Sequence, residues 1–181
     1  MIQGQTIGLR ARLPEDVAVL HAELYEDVAT RSRADSRPWR PLAAGSGHSP
    51  YEPGGPAEDA AVFSIVERAT GELAGEALLW GIDTHNRLAH LGISLRPGCR
   101  GRGLGREVVQ LLCHYGFTVR GLQRLQVDTL ADNAAMIAAA TAAGFTLEGT
   151  LRRSAWVYGA FADEVVLGLL HEEWKAATRE L

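Results

Sequence analysis

Cysteine is scarce in this chain: Cys99 and Cys113 are the two thiols among 181 residues. So few cannot form a disulfide framework, and they suit a reduced, cytoplasmic setting. Cys99 adjoins a glycine-rich turn, but no partner motif for a cysteine nucleophile accompanies it. Long apolar runs are also missing. None approaches the roughly 20 residues that span a bilayer, and the opening Met1-Ile2-Gln3-Gly4-Gln5-Thr6 lacks a basic-then-apolar pattern. The expectation is a soluble cytoplasmic protein with no membrane partner. Excess positive charge is absent as well: a formal net charge of −4 and a pI near 5.9 give no general attraction to nucleic acid. There is no internal repeat, no Gly-Lys-Ser/Thr of a Walker-type loop and no G-x-G-x-x-G. No metal is expected.

What is present is enough apolar material, 46% of the residues, for one domain covering residues 1–181. The most informative stretch is Arg100-Gly101-Arg102-Gly103-Leu104-Gly105. It follows the strand-like His90 to Leu95 and precedes a helix-like run from Arg106 to Thr118, whose Val108, Val109, Leu111, Leu112 and Tyr115 fall at helical spacing. A glycine-dense turn at a helix start leaves backbone N–H groups unpaired and uncovered, so an anion can approach the positive end of the helix dipole. A plain structural turn is the alternative.

Elsewhere, Thr6–Arg12 alternates like an edge strand, and Pro14-Glu15-Asp16 opens a helix expected over 14–29. The segment from Ser36 to Pro56 holds five prolines and four glycines, which predicts a long binding loop or lid. Ala61–Glu67, Leu73–Ile82 and Leu88–Leu95 read as an antiparallel three-strand meander. Leu125–Leu130 reads as a strand and Asn133–Ala143 as a helix, with Gly144 as its C-cap. Two further strands, Phe145–Leu151 and Val165–Leu170, precede a polar tail.

In this order, the chain resembles the GNAT superfamily of N-acetyltransferases, in its ribosomal-protein and diamine acetyltransferase branch. The resemblance rests on Arg100-x-x-Gly103-x-Gly105 between strand and helix and on Val127-x-Thr129-x-x-x-Asn133, followed by Gly144-Phe145. Gly149-Thr150-Leu151-Arg152 with Phe161-Ala162-Asp163 adds to it. It implies an α+β fold: a mixed, mostly antiparallel sheet flanked by helices and splayed to admit CoA. It also implies acetyl-CoA, or another acyl-CoA, as cosubstrate. Ile93, Ser94 and Leu95 would lie along the pantetheine. Arg100, Gly101, Arg102, Gly103, Leu104, Gly105 and Arg106 would hold the pyrophosphate, with the arginines adding charge-assisted contacts. Asn133 would bond the cofactor, or else act as an N-cap. The partners implied are acyl-CoA and an amine acceptor; the oligomeric state, including a homodimer, stays open.

Acyl transfer needs a neutral amine, a polarised thioester carbonyl and a proton for the departing thiolate. A tyrosine supplies that proton in many relatives, but the matching position here is Ala140, and an alternative serine position is Met136. Tyr158 or Ser154 are the substitutes the sequence offers. For the base, His90 and Glu76 are the candidates, because both lie on strands expected to border the amine. Arg31, Arg33, Arg37 and Arg40 open the long loop and argue for a neutral or carboxylate-bearing amine over a polyamine. Their alternative is a solvated surface run. Trp39, Tyr51 and Trp80 could wall an apolar pocket. The expected activity is N-acyl transfer to a small amine or a protein N-terminus by direct attack. The alternative is a catalytically weak acyl-CoA-binding or regulatory module.

Overall fold

The computed structural model describes residues 1–55 and 57–179. Pro56 of the long loop and the last two residues of the tail lie outside them. The chain begins with a short strand, β1 (Ile2–Gln3), that pairs antiparallel with β2 (Ile7–Ala11). The Thr6–Arg12 strand is therefore covered on the side where an edge was expected.

Helix α1 (Pro14–Leu20) starts with proline at its first turn, and Asp16 reaches back to accept from the Leu13 N–H at 2.9 Å. The helix expected over 14–29 is broken. One π turn (His21–Tyr25) closes on a Glu26 N–H to His21 carbonyl bond of 3.2 Å. Asp27 then accepts from the N–H groups of Ala29 and Thr30, which starts a new helix, α2 (Val28–Ala34). Apolar periodicity runs through the break, and the cap decides it.

The meander is present as β3 (Ala60–Glu67), β4 (Leu73–Asp83) and β5 (Leu88–Leu95). Helix α3 (Leu104–His114), extended by a π turn (Tyr115–Val119), crosses to β6 (Arg124–Leu130), which lies parallel to β5. Helix α4 (Ala134–Ala142) and the long hairpin β7 (Thr146–Val157) and β8 (Ala160–Leu170) follow. These two strands outrun their expected ends because bulges after Leu147 and Leu151 interrupt the alternation on which the reading depended. The expected polar tail forms helix α5 (His171–Arg179).

The result is one eight-stranded sheet in the order β1-β2-β3-β4-β5-β6-β8-β7, with a single parallel pair, and helices pack against it. This is the expected α+β architecture. One sheet face carries Ile7, Leu9, Ile65, Ala77, Leu79, Leu91, Leu125 and Val127. It is covered by Val108, Val109 and Leu112 of α3 and by Phe117, all within 3% of complete burial. Each such side chain contributes about 1.5–3 kcal/mol by leaving water, so α3 is held firmly where it meets the glycine turn. No helix among the described residues is long and apolar enough to cross a membrane.

Candidate active site

Strands β5 and β6 pair over Leu88–His90 with Arg124–Gln126, and then part. Beyond that point Leu91–Leu95 still pair with β4, and Val127–Leu130 with β8, so the two facing edges have no strand partner. Ile93, Ser94 and Leu95 all lie on the open edge of β5. An extended chain with amides of its own could add there as a strand does. The splayed sheet is the feature on which the expected pantetheine site depends.

At the end of β5 the chain makes the glycine turn. Gly101 and Gly103 adopt φ of 71° and 79°, which explains both glycines by backbone conformation. Gly105 has no such φ, and a methyl group built on it would meet nothing within 4 Å. Neither strain nor crowding demands glycine at this position. Leu104 is buried and anchors the turn to the core. Among the described residues, the backbone N–H groups of residues 101–105 donate no hydrogen bond. They stand at the N-terminus of α3, where the helix dipole favours an anion.

Two of the turn's arginines have partners within the chain. Arg102 grips Glu67 with two bonds of 2.6 and 3.0 Å, and Arg100 folds back to donate from Nε to the Leu95 carbonyl at 3.0 Å. Arg106 is exposed. An anion at this turn would meet backbone amides first. Asn133 is the N-cap of α4: its Oδ1 accepts from the Met136 N–H at 3.3 Å, and its Nδ2 donates to Thr129 at 2.9 Å.

On the sheet face opposite α3, His90 and Glu76 sit in very different surroundings. Glu76 is buried, and Arg12 donates to it at 2.9 Å. Arg12 also bonds Ser64 and the Tyr51 carbonyl, and Ser64 in turn donates to Asp16. Burial pushes the Glu76 carboxyl above its ordinary value, against the pull of Arg12. The candidate base Glu76 is thus an ion-pair partner of Arg12, which ties the chain just after β2 to β4. Arg12 carried no signal except its alternation with Arg10.

His90 is partly exposed. Its Nδ1 lies 2.5 Å from Asp128 Oδ2, and its ring stacks on Trp80 with centroids 4.2 Å apart. Asp128 accepts a further bond from Gln126 at 2.8 Å. Burial would raise the Asp128 carboxyl, yet the bonds from His90 and Gln126 hold it below its ordinary value. Sequence reasoning missed Asp128, although alternation in β6 places it on the face opposite Val127.

A cleft of about 600 Å³ is lined by residues that include Asp35, Arg37, Trp39, Trp156 and Tyr158. Tyr158 reaches it from the tip of the β7–β8 hairpin, and α2 and the start of the long loop form the facing wall. Ser154 donates to Glu164 at 2.7 Å. Ala140 is fully buried, and Met136 packs against the core. Three of the four arginines are paired: Arg31 and Arg37 both bind Asp35, and Arg33 binds Asp132. Tyr51 is buried beneath Arg12 and Arg31, Trp80 covers His90, and Trp39 lines the cleft. The long loop is tied down by His21, which bonds Ser49 and the Leu42 carbonyl, and by Trp39, which donates to the Tyr25 carbonyl.

A family model described as an acetyltransferase (GNAT) domain matches residues 6–146. An uncharacterized N-acetyltransferase p20 of Bacillus licheniformis is 32% identical over 112 residues, 62% of this chain and 63% of that protein. The spermidine N(1)-acetyltransferase of Escherichia coli K12 is 28% identical over 112 residues, 62% of this chain and 60% of that protein. The chain thus spans less than two thirds of the length of either relative. The crystal structure of spermidine N-acetyltransferase from Vibrio cholerae, in complex with CoA and spermine, superposes with a TM-score of 0.78. It is 19% identical, and the match covers 94% of this chain and 98% of that one. This likeness shows the fold.

Proposed function

Because the chain belongs to the acetyltransferase (GNAT) domain family, we propose that it transfers an acetyl or related acyl group from acyl-CoA to a primary amine. The observation that carries this reading is Gly105, a glycine that neither backbone nor packing requires, in a turn whose amides are free at a helix N-terminus beside a splayed sheet. A phosphate can approach those amides closely only where no side chain covers them. Residues 101–105 would hold the pyrophosphate, and the open edge of Ile93–Leu95 would pair with the pantetheine arm. The bound cosubstrate supplies the activated acyl group.

His90 accepts the proton of the attacking amine. A backbone N–H on the open β5 edge polarises the carbonyl, an effect worth about 3 kcal/mol when well aimed. As the new N–C bond forms and the C–S bond breaks, the thiolate leaves and takes up a proton from Tyr158 or water. The cleft favours an acceptor without several positive charges. Its lining carboxylate, Asp35, is engaged by two arginines, and Arg37 remains three-quarters exposed. A neutral or carboxylate-bearing amine fits this lining better than the spermidine named for the Escherichia coli relative.

The burial of Ala140 where many relatives carry a tyrosine favours a second reading, an acyl-CoA-binding module with little turnover. Thiol release from acetyl-CoA, followed across amines that include spermidine, amino acids and peptide N-termini, separates the two. Release with an uncharged or carboxylate-bearing amine, above spermidine, is the expected result. Tight acetyl-CoA binding with no release on any amine would give the protein to the second reading.

A further inference from the structure

The polar face of β6 carries a chain of hydrogen bonds whose direction is fixed throughout. Arg124 can only donate, and its Nη2 donates to Gln126 Oε1 at 3.0 Å. This orients the Gln126 amide so that Nε2 donates to Asp128 Oδ1 at 2.8 Å. The other carboxylate oxygen, Oδ2, faces His90 Nδ1 at 2.5 Å. An ionised carboxylate only accepts, so the proton of a neutral His90 sits on Nδ1, and Nε2 carries the lone pair. Among the described residues Nε2 has no hydrogen-bond partner, and Trp80 fixes the plane of the ring. His90 and Gln126 form the last β5–β6 pair, so the His90–Asp128 bond spans the first step of the gap.

We infer that Asp128 is a positioning residue for acyl transfer: held by Arg124 through Gln126, it keeps the His90 proton on Nδ1 and leaves Nε2 free to accept the proton of the amine. This inference rests on the acyl-transfer reading. The logic is that of a base oriented by a third group, with both members carried here on neighbouring strands. The charged groups that face the pair are Asp128 and Arg124 from β6 and Glu148 from β7, which binds Arg124 at 2.7 Å. Glu173 of α5 adds to the field at Arg124, and the β4 side chain stacked on His90 is the uncharged Trp80.

Asp128→Asn makes a sharp test, because Gln126 Nε2 claims the amide oxygen and leaves the amide NH2 facing His90. That NH2 requires Nδ1 to accept, which drives the ring proton to Nε2 and blocks the base. Expected is a fall in kcat of about ten- to a hundredfold with KM for acetyl-CoA little changed. Nitrogen-15 NMR of the His90 ring, which needs no turnover, should report Nδ1–H in the wild type and Nε2–H in the variant. Should Asp128→Asn fail to fold, Gln126→Leu removes the link one step earlier, and a smaller change of the same sign is expected. A wild-type ring protonated on Nε2, or a variant whose kcat is unchanged, overturns the inference. A tautomer switch in a protein that releases no thiol on any amine would sink the acyl-transfer reading and Asp128's catalytic part with it, leaving only the tautomer control.

Discussion

At the scale of the residue, two buried carboxylates, Asp16 of α1 and Glu76 of β4, respond to acid in opposite directions. Asp16 is almost fully buried. Burial would raise its pKa, but bonds from Arg10, the Leu13 N–H and Ser64 outweigh this and bring it to about 2, from an ordinary value of 3.8. A carboxyl lowered on folding contributes its stability in full above the unfolded value and loses it as pH falls through the folded one. The window here runs from about pH 4 to about pH 2, and the contribution is on the order of 2 kcal/mol. Glu76 is raised on folding, so acid relieves its cost and acts the other way. Urea unfolding at stepped pH should show that wild-type stability falls more steeply over this window than that of Asp16→Asn. Equal slopes would mean that Asp16 titrates normally in the folded state. Glu76 shows the limit of the sequence at this scale: a carboxylate on a strand was legible, but Arg12, 64 positions away, decides whether it is base or anchor.

Among the elements, the glycine turn was legible because the signal is local: strand, glycines and helix are contiguous. The partners of its arginines were not, since Arg102 finds Glu67 across 35 positions. The α1–α2 break and the hairpin bulges were missed for a related reason. Caps and bulges override periodicity through single side chains such as Asp27, which a search for apolar repeats passes over. The turn also gives a test in which fold and function diverge. Gly105 lies in the first turn of α3 with open space around it, so Gly105→Ala should stabilise the fold by up to about 1 kcal/mol through its lower chain entropy. The same methyl group would stand between the free amides and a pyrophosphate. Affinity for CoA should therefore fall about tenfold, equivalent to about 1.4 kcal/mol. A variant that melts higher and binds CoA as well as the wild type would show that no ligand approaches at this point.

The whole molecule is a sheet in two halves joined by little backbone. Strands β1 to β5 form one half and β6, β8 and β7 the other, and the ladder between them is limited to the stretch Leu88–His90 with Arg124–Gln126. Periodicity identified the strands of both halves except the two-residue β1. It could not show which edges meet, because the β5–β6 contact is made by a crossover through α3 and then abandoned where the strands diverge. Further ties between the halves include the Gln123 N–H to Arg87 carbonyl bond and side-chain bonds such as His90 to Asp128 and Arg33 of α2 to Asp132 beyond β6. A ligand lying in the gap would touch the open edge of β5 and the start of α3, and would complete the sheet where its own ladder stops. Acetyl-CoA at about 100 times its Kd should then stabilise the fold by about 2.7 kcal/mol. Amide exchange should slow along residues 91–95 and 127–130 together, since opening the joint exposes both edges. Slowing confined to residues 101–106 would describe a phosphate site alone, and the reading of the gap as the pantetheine channel would have to be given up.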